Sequence, residues 1–127
     1  MTLSIDCVRN ILLVCEDTEF LSDDLVWNPV GLLYFADRLP QYSKNQIAYT
    51  LVLLDEAGYL ILSDLPADNC LDNLLISRLT YNGHELLDSI KPENVWNKVL
   101  KTIGNIGNVS LPVLQDIATQ ALASLLI

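Results

Sequence analysis

The sequence is poor in basic residues. Seven lysines and arginines stand against sixteen aspartates and glutamates, which gives a formal net charge of -9. Such a charge repels the phosphate backbone of nucleic acids and attracts cationic partners. The imbalance is greatest at the start of the chain, where Arg9 is the one cation among seven carboxylates between Met1 and Asp37. The composition therefore disfavours non-specific binding to nucleic acid.

Metal ligands and catalytic motifs are also scarce. The cysteines Cys7, Cys15 and Cys70 have no CxxC spacing, and on a predicted helix the first two lie about 12 Å apart, beyond disulfide reach. The single histidine, His84, precedes Glu85, but adjacent helical residues do not face each other. Neither GxxxxGK[ST] nor GxGxxG occurs. We therefore predict buried reduced thiols for the cysteines, and no catalytic residue, metal or cofactor.

Long hydrophobic runs are absent too. Although 51% of the residues are apolar, no uncharged apolar run approaches the roughly 18 residues that cross a membrane. The apolar start of the chain is broken by Asp6 and Arg9 and lacks the basic region of a signal peptide. A chain of this length fits one domain. We therefore predict a globular cytoplasmic protein that does not bind a membrane.

The stretch from Tyr42 to Leu60 organises the rest of the predicted fold. Ser43 is a good N-cap and Gly58 a good C′ residue, so the pattern predicts a helix that runs into a strand. The helical period directs one apolar face to the core. That inward face consists of Ile47, Thr50, Leu51 and Leu54. The outward face consists of Lys44, Asn45, Ala48, Tyr49, Val52, Asp55 and Glu56.

Other segments follow the same logic. Apolar periodicity predicts helices over residues 4–16, 80–90 and 93–103, the last with Val95, Trp96, Val99, Leu100 and Ile103 on one side. Strand formers at 59–63 and 74–79, separated by turn residues, predict a β-hairpin with a long tip. Residues 17–28 read as a solvated acidic loop. The run from Pro29 to Arg38 fits a short helix or a strand paired with the hairpin, and we favour the strand.

This order of elements predicts an α+β, mostly helical fold, like a winged helix-turn-helix with a small antiparallel β-hairpin as its wing and extra C-terminal helices. We place the winged-helix-like domain at residues 1–103. Residues 104–127 form a linker turn and a helix capped by Ser110, with Pro112 in its first turn. That helix packs on the domain or on a second copy. The residues of a possible dimer interface are Leu114, Ile117, Ala121, Leu122 and Leu125.

Several stretches occur in a recognisable order across nearly the whole chain: VRNILL, YSKNQIAYTLVLLDEAGYL, RLTYNGHELLDSI, VWNKV, and SLPVL after a Gly/Asn turn. Together they resemble an uncharacterised domain-of-unknown-function family of small bacterial and prophage proteins. The resemblance implies a winged-helix-like fold and an origin in mobile elements, and it implies no activity. Members of that family usually carry more polar and charged residues on the central helix, often at the positions of Tyr49 and Thr50 here. This departure from the family pattern weakens the case for DNA binding.

The function follows from the predicted surfaces. A DNA-reading helix presents Arg, Lys, Asn or Gln to base edges, and a DNA-binding wing carries cations. Here the outer face of the central helix, which we predict to bind the partner, offers Lys44 and Asn45 followed by Ala48, Tyr49 and Val52. The remaining surface is acidic, with carboxylates at Asp23, Asp24, Asp64, Asp68 and Asp72.

We therefore predict a non-catalytic, phage-type regulator that binds a protein with a basic surface, as an antagonist of a nucleic-acid-binding protein in an antirepressor or anti-defence role. One alternative is a winged-helix DNA-binding transcriptional regulator, and another is a structural homodimer joined through the terminal helix. Trp96 is expected in the core. Trp27 is open between packing and an interface anchor.

Overall fold

A computed structural model describes residues 1–64, 69–104 and 106–127. Helices dominate, and a small antiparallel sheet of three strands completes an α+β fold. The elements in chain order are α1 (Ile5–Glu16), β1 (Val30–Gly31), α2 (Leu32–Arg38), α3 (Lys44–Glu56), β2 (Leu60–Asp64), β3 (Leu75–Leu79), α4 (Tyr81–Ile90), α5 (Glu93–Ile103) and α6 (Leu111–Leu125).

The helix starts at Ser4 and Ser43 are confirmed by their side-chain caps, whereas Ser110 occupies the N-cap position of α6 without a side-chain hydrogen bond to that helix. The Ser4 hydroxyl accepts a hydrogen bond from the amide of Cys7 at 3.3 Å, and the Ser43 hydroxyl accepts from the amide of Gln46 at 3.3 Å. The start of α4 is capped by the Thr80 hydroxyl, which accepts a hydrogen bond from the amide of Gly83 at 3.1 Å. Each cap satisfies an amide that the first helical turn leaves without a partner.

The end of α3 is also as predicted. Gly58 has a φ of +84°, a conformation that a residue without Cβ adopts at low cost. The chain then turns directly into β2, so α3 and the hairpin form one continuous unit.

The sheet has the strand order β1-β3-β2, with antiparallel pairs throughout. The predicted hairpin of β2 and β3 is present, with Leu60 opposite Leu79. β1 pairs with the other edge of β3, where Val30 lies opposite Ile76. The central strand therefore joins the hairpin to the segment that precedes α2.

The preference for a strand between Pro29 and Arg38 was wrong for most of that segment. Only Val30 and Gly31 pair with β3, and Leu32–Arg38 is helix α2. Leu32 and Phe35 are buried, three residues apart, and this spacing puts them on one helical face. A strand would have turned these two side chains to opposite sides of the sheet.

A single hydrophobic core draws on most of these elements. α6 packs on α4 and α5 of the same chain. Trp96 is buried, as predicted, whereas Leu100, assigned to the same apolar side of α5, is exposed. Across the three described ranges no helix is long and apolar enough to cross a membrane.

Candidate functional site

An open groove lies along the surface of α3. It has a volume of about 420 Å³. The residues that line it are Met1, Leu32, Lys44, Asn45, Ala48, Tyr49, Val52, Leu71 and Asp72. The lining includes Lys44, Asn45, Ala48, Tyr49 and Val52, the face predicted for a partner, together with the predicted acidic residue Asp72. We call this site the α3 groove.

The helical period explains why these side chains meet. Residues three and four apart lie on one side of a helix, so Asn45, Ala48, Tyr49 and Val52 form a continuous stripe. α2 contributes Leu32, and the segment before β3 contributes Leu71. Met1 adds a fourth part of the chain, so the groove forms where four separate segments meet, and the sequence pattern predicted only the wall formed by α3.

One residue of the predicted outward face is not outward. Ala48 is only 5% exposed, so the placement of its side chain on the surface was wrong. It is the small residue next to the inward-facing Ile47, and it lines the bottom of the groove between larger side chains. Tyr49, at 37% exposed, is the most accessible apolar surface that α3 offers here.

A second residue of that face has a structural contact. The Asp55 carboxylate accepts a hydrogen bond from the amide of Leu62 at 3.0 Å. This bond ties the last turn of α3 to β2 and satisfies a strand amide. Asp55 therefore supports the hairpin, a contact that the sequence pattern did not reveal.

Arg9 is the one cation between Met1 and Asp37, and its guanidinium forms contacts within the chain. Its Nε donates to the carbonyl of Ile90 at 3.1 Å and its Nη2 donates to the carbonyl of Lys91 at 2.7 Å. The guanidinium also lies over the ring of Trp96, 5.3 Å from its centroid. A cation at a helix C-terminus satisfies the last carbonyls and the helix dipole, so Arg9 fastens α1 to the end of α4.

Other cations are also engaged by their own chain. Arg38 stacks on the ring of Tyr34 at 3.5 Å, and Arg78 donates to the carbonyl of Leu79 at 2.9 Å. Two lysines bond to side chains: Lys91 to Glu16 at 2.6 Å and Lys98 to the hydroxyl of Ser124. These groups are spread over α2, β3, α5 and the segment between α4 and α5. Neither Arg9 nor any of these four cations lines the α3 groove, whose lining includes Lys44.

The predicted acidic residues do not gather at one place. Asp72 lines the α3 groove, whereas Asp23 and Asp24 are exposed on the loop before β1. Asp68 and the side chain of Asp64 lie outside the described part of the chain. The three acidic residues whose side chains the structure describes therefore lie on two different segments, and their role in partner binding stays a prediction.

The segment predicted as an acidic loop is a loop, and it contains one hydrogen-bonded turn closed by an isolated bridge. Leu21 and Trp27 pair as an antiparallel bridge, and the amide of Ser22 donates to the carbonyl of Val26 at 2.9 Å. The turn between them is closed by the amide of Leu25, which donates to the carbonyl of Ser22 at 2.9 Å. Leu25 has a φ of +64°. We call residues 21–27 the tip loop.

A second groove of about 360 Å³ adjoins the tip loop. Its lining residues are Cys15, Glu16, Thr18, Phe20, Leu21, Trp27, Arg78, Leu79, Tyr81 and His84. His84 is exposed at its edge. The sequence pattern of Trp27 fits either packing or an interface anchor, and no role was predicted for Tyr81. One sequence feature could have indicated that Tyr81 is exposed: it is an aromatic residue in the first turn of α4 and lies outside the apolar stripe of that helix.

The residues of the proposed dimer helix are divided between the core and the surface. Leu114 and Ala121 are buried against their own chain, Ile117 is half-buried, and Leu122 and Leu125 are exposed. The buried face of α6, with Leu114 and Ala121, therefore packs against the core of its own chain.

The two thiols of α1, Cys7 and Cys15, lie in the core as predicted, whereas Cys70 is exposed, so its predicted burial was wrong. Burial raises the pKa of the Cys15 thiol to about 12. Burial also raises the pKa of Cys7, although a hydrogen bond with Thr50 opposes the shift. Thiolates are the reactive form, so these groups are chemically quiet. Among the described residues, no cluster of three His, Cys, Asp or Glu side chains could hold a metal ion.

Fold and surface together define a small, mostly helical α+β protein with an apolar groove beside its central helix. The chain belongs to the family described as hypothetical protein (DUF2513), whose model matches residues 2–109. This confirms the expected family of unknown function. The chain is also similar to an uncharacterised protein of Haemophilus influenzae, with 28% identity over 122 residues that cover 95% of each chain. No solved structure matches it.

Proposed function

We propose that this protein is a non-catalytic regulator with a winged-helix fold that binds another protein through the α3 groove. The order of elements supports the fold: a helix and a short strand, then two helices joined by residues 39–43, then a hairpin. In a helix-turn-helix the second helix faces the partner. Here that helix is α3.

The observation that carries the proposal is the chemistry of the α3 groove. A helix that reads DNA offers long polar side chains to base edges and is flanked by cations that meet phosphates. The middle of this groove is instead formed by Ala48, Tyr49 and Val52, and Asp72 is part of its lining. The central part of a protein interface is apolar and rich in aromatic residues, which is the character of this groove.

Charge defines the partner. With a net charge of -9, the protein attracts basic surfaces and is repelled by phosphate. The basic surfaces of nucleic-acid-binding proteins fit this requirement. The protein would then compete with nucleic acid for that surface and act as an antirepressor or an anti-defence protein.

The test is affinity purification from a bacterial lysate, with and without nuclease, using the wild type, Tyr49→Asp and Leu122→Asp. The two positions are matched, because Tyr49 is 37% and Leu122 is 40% exposed and both lie on helices. We expect the wild type and Leu122→Asp to retain a protein after nuclease treatment, and Tyr49→Asp to lose it.

Two results would contradict the proposal. The DNA-binding alternative would be established if the wild type, but not Lys44→Glu, shifted the electrophoretic mobility of duplex DNA and if this shift weakened with added salt. A stable homodimer that only Leu122→Asp dissociates, with no retained partner, would establish the structural dimer.

A further inference from the structure

The tip loop presents apolar side chains to solvent at its end. Leu25 is 78% exposed, and Val26 and Trp27 beside it are also exposed. Tyr81, on the groove that Trp27 lines, is 77% exposed. Clustered exposed apolar groups mark interaction sites more often than isolated ones do, and tryptophan and tyrosine are the usual anchors of protein interfaces.

The backbone of the tip loop is held in a conformation that leucine disfavours. A three-residue hairpin loop of this kind places its last residue in the left-handed region, where glycine is the usual choice. Leu25 occupies that position with a φ of +64°, and its side chain points into solvent instead of gaining a core contact. Folding alone therefore gives no reason for leucine at this position, and residues that break a local rule tend to serve function.

The loop is nevertheless well supported. The hydroxyl of Ser22 accepts from the amide of Val26 at 3.2 Å, and the amide of Asn28 donates to the carbonyl of Phe20 at 2.8 Å. The side chain of Phe20 is buried in the core. A partner would therefore meet a preorganised tip and would spend little free energy on ordering it.

Charge around the tip selects the partner. The chain has no lysine or arginine between Arg9 and Arg38, while Asp23 and Asp24 sit in the turn itself. Arg78 lines the adjoining groove, and its guanidinium bonds to the carbonyl of Leu79. A second copy of this chain would bring the same carboxylates face to face, which is unfavourable. A cationic surface would be attracted to them.

From these observations we infer that the tip loop and Tyr81 form a second docking surface, which binds a basic protein segment by inserting Leu25 and Trp27 between its apolar side chains. The inference rests on the proposed function only in that both require a protein partner. The two surfaces can be tested separately because they lie at opposite ends of β3. Asp72, just before this strand, lines the α3 groove, and Leu79, its last residue, lines the second groove. The strand is five residues long, which corresponds to about 17 Å.

The test uses two synthetic peptides, one in which Leu and Trp alternate with Lys and Arg, and a matched peptide with Glu in place of the basic residues. Binding to the full chain is measured by fluorescence anisotropy at about 0.15 M salt, where long-range charge effects are screened. The site is mapped by amide chemical shifts. We expect the basic peptide alone to bind, with shifts concentrated at residues 21–28 and at Tyr81.

The deciding variant is Leu25→Asn, because asparagine tolerates the left-handed conformation and the fold should be retained. We expect it, and Trp27→Ala, to weaken peptide binding about tenfold or more, as loss of an interface anchor does. Ile106→Asn is the control: Ile106 is 70% exposed in another loop, and its replacement should leave the affinity unchanged.

Three results would overturn the inference: equal binding of the acidic peptide, shifts spread over the whole acidic surface, or an affinity that Leu25→Asn leaves unchanged. Failure of the proposed function has a different signature. If Tyr49→Asp abolishes capture of the cellular partner while the tip variants do not, the α3 groove binds that partner and the inference about the tip loop is wrong. If only the tip variants lose that partner, the proposed role of the α3 groove is wrong.

Discussion

Gly83 of α4 lies directly against the carbonyl oxygen of Tyr59 at the start of the hairpin. A Cβ at position 83 would come within 2.0 Å of that oxygen, closer than any real contact. The same carbonyl accepts a hydrogen bond from the amide of Thr80 at 3.1 Å, so it cannot easily move away. Glycine is therefore required here by close packing of a helix on a strand.

The substitution Gly83→Ala should lower the free energy of unfolding by about 1–3 kcal/mol, the usual range for overpacking in a tight site. Gly31→Ala is the control, since its Cβ would meet Leu74 and Leu75 only at ordinary distances of 3.7 and 3.9 Å. Urea denaturation measures both. Equal stability of the two variants would show that the backbone at Tyr59 adjusts.

Arg9→Ala should lower the free energy of unfolding by about 2 kcal/mol, because it removes two charge-assisted hydrogen bonds to the end of α4 and the contact with Trp96. Lys101→Ala changes the net charge equally, and Lys101 is exposed, so it should cost less than about 0.5 kcal/mol. Thermal denaturation compares them. A similar loss in both variants would mean that net charge, and not the contacts of Arg9, determines the effect.

Tyr42 should make the stability depend on pH in the alkaline range. Its hydroxyl donates to the Asp6 carboxylate and accepts from Asn10. Burial first, and then the bond to Asp6, raise the pKa of Tyr42 from 10.0 to about 12. Since the folded state favours the neutral phenol, the contribution of Tyr42 is complete below pH 10 and is lost as the pH rises towards 12.

The check is denaturation of the wild type and Tyr42→Phe at several pH values. The variant should be less stable by about 1 kcal/mol near neutral pH, and the difference should shrink above pH 10. The buried thiol of Cys15 also titrates in this range, but it is present in both proteins and cancels in the difference. A difference that stays constant with pH would contradict the assignment.

The cysteines should react in two classes. Cys70 is exposed, whereas Cys7 and Cys15 are buried and their pKa values are raised. A thiol reagent at mildly alkaline pH should modify Cys70 rapidly and the other two only when the protein unfolds, as counted by mass spectrometry. Cys70→Ser should abolish the fast reaction. Fast labelling of α1 in that variant would show that the core opens locally.

The terminal helix should contribute mainly to the core of its own chain. Leu114 is fully buried, so Leu114→Ala should cost about 2–5 kcal/mol, the range for a large core side chain. Leu122→Ala, at an exposed position on the same helix, should cost less than about 1 kcal/mol. Denaturation at two protein concentrations separates the roles. Stability that rises with concentration, and is lost in Leu122→Ala, would indicate a dimer through this face.

Local signals were enough to predict much of this protein. The N-caps Ser4, Ser43 and Thr80 lie next to the helices that they start, so the cap and the apolar period could be read together. The same applies to Gly58 and to the hairpin that follows it. The residues of α3 that line its groove were also accessible to sequence reasoning, because the faces of a helix follow from its period.

Other features depended on neighbours that the sequence does not bring close. Leu32–Arg38 is a helix because Leu32 and Phe35 both find the core, and a short apolar run does not reveal which partner it will meet. The left-handed Leu25 carried no sequence signal, since glycine or asparagine is the residue that marks such a position.

The sequence by itself determined the described helices other than α2, the caps at Ser4, Ser43 and Thr80, the hairpin, and the acidic character that limits the choice of partner. These are properties of neighbouring residues or of composition, and each is set before the chain folds. The tertiary structure alone decided three relations. Arg9 bonds to the C-terminal end of α4, the carbonyl of Tyr59 packs where a Cβ of residue 83 would lie, and Trp27 and Tyr81 line one groove. Each of these relations joins residues more than twenty positions apart, and packing of the whole core brings them together.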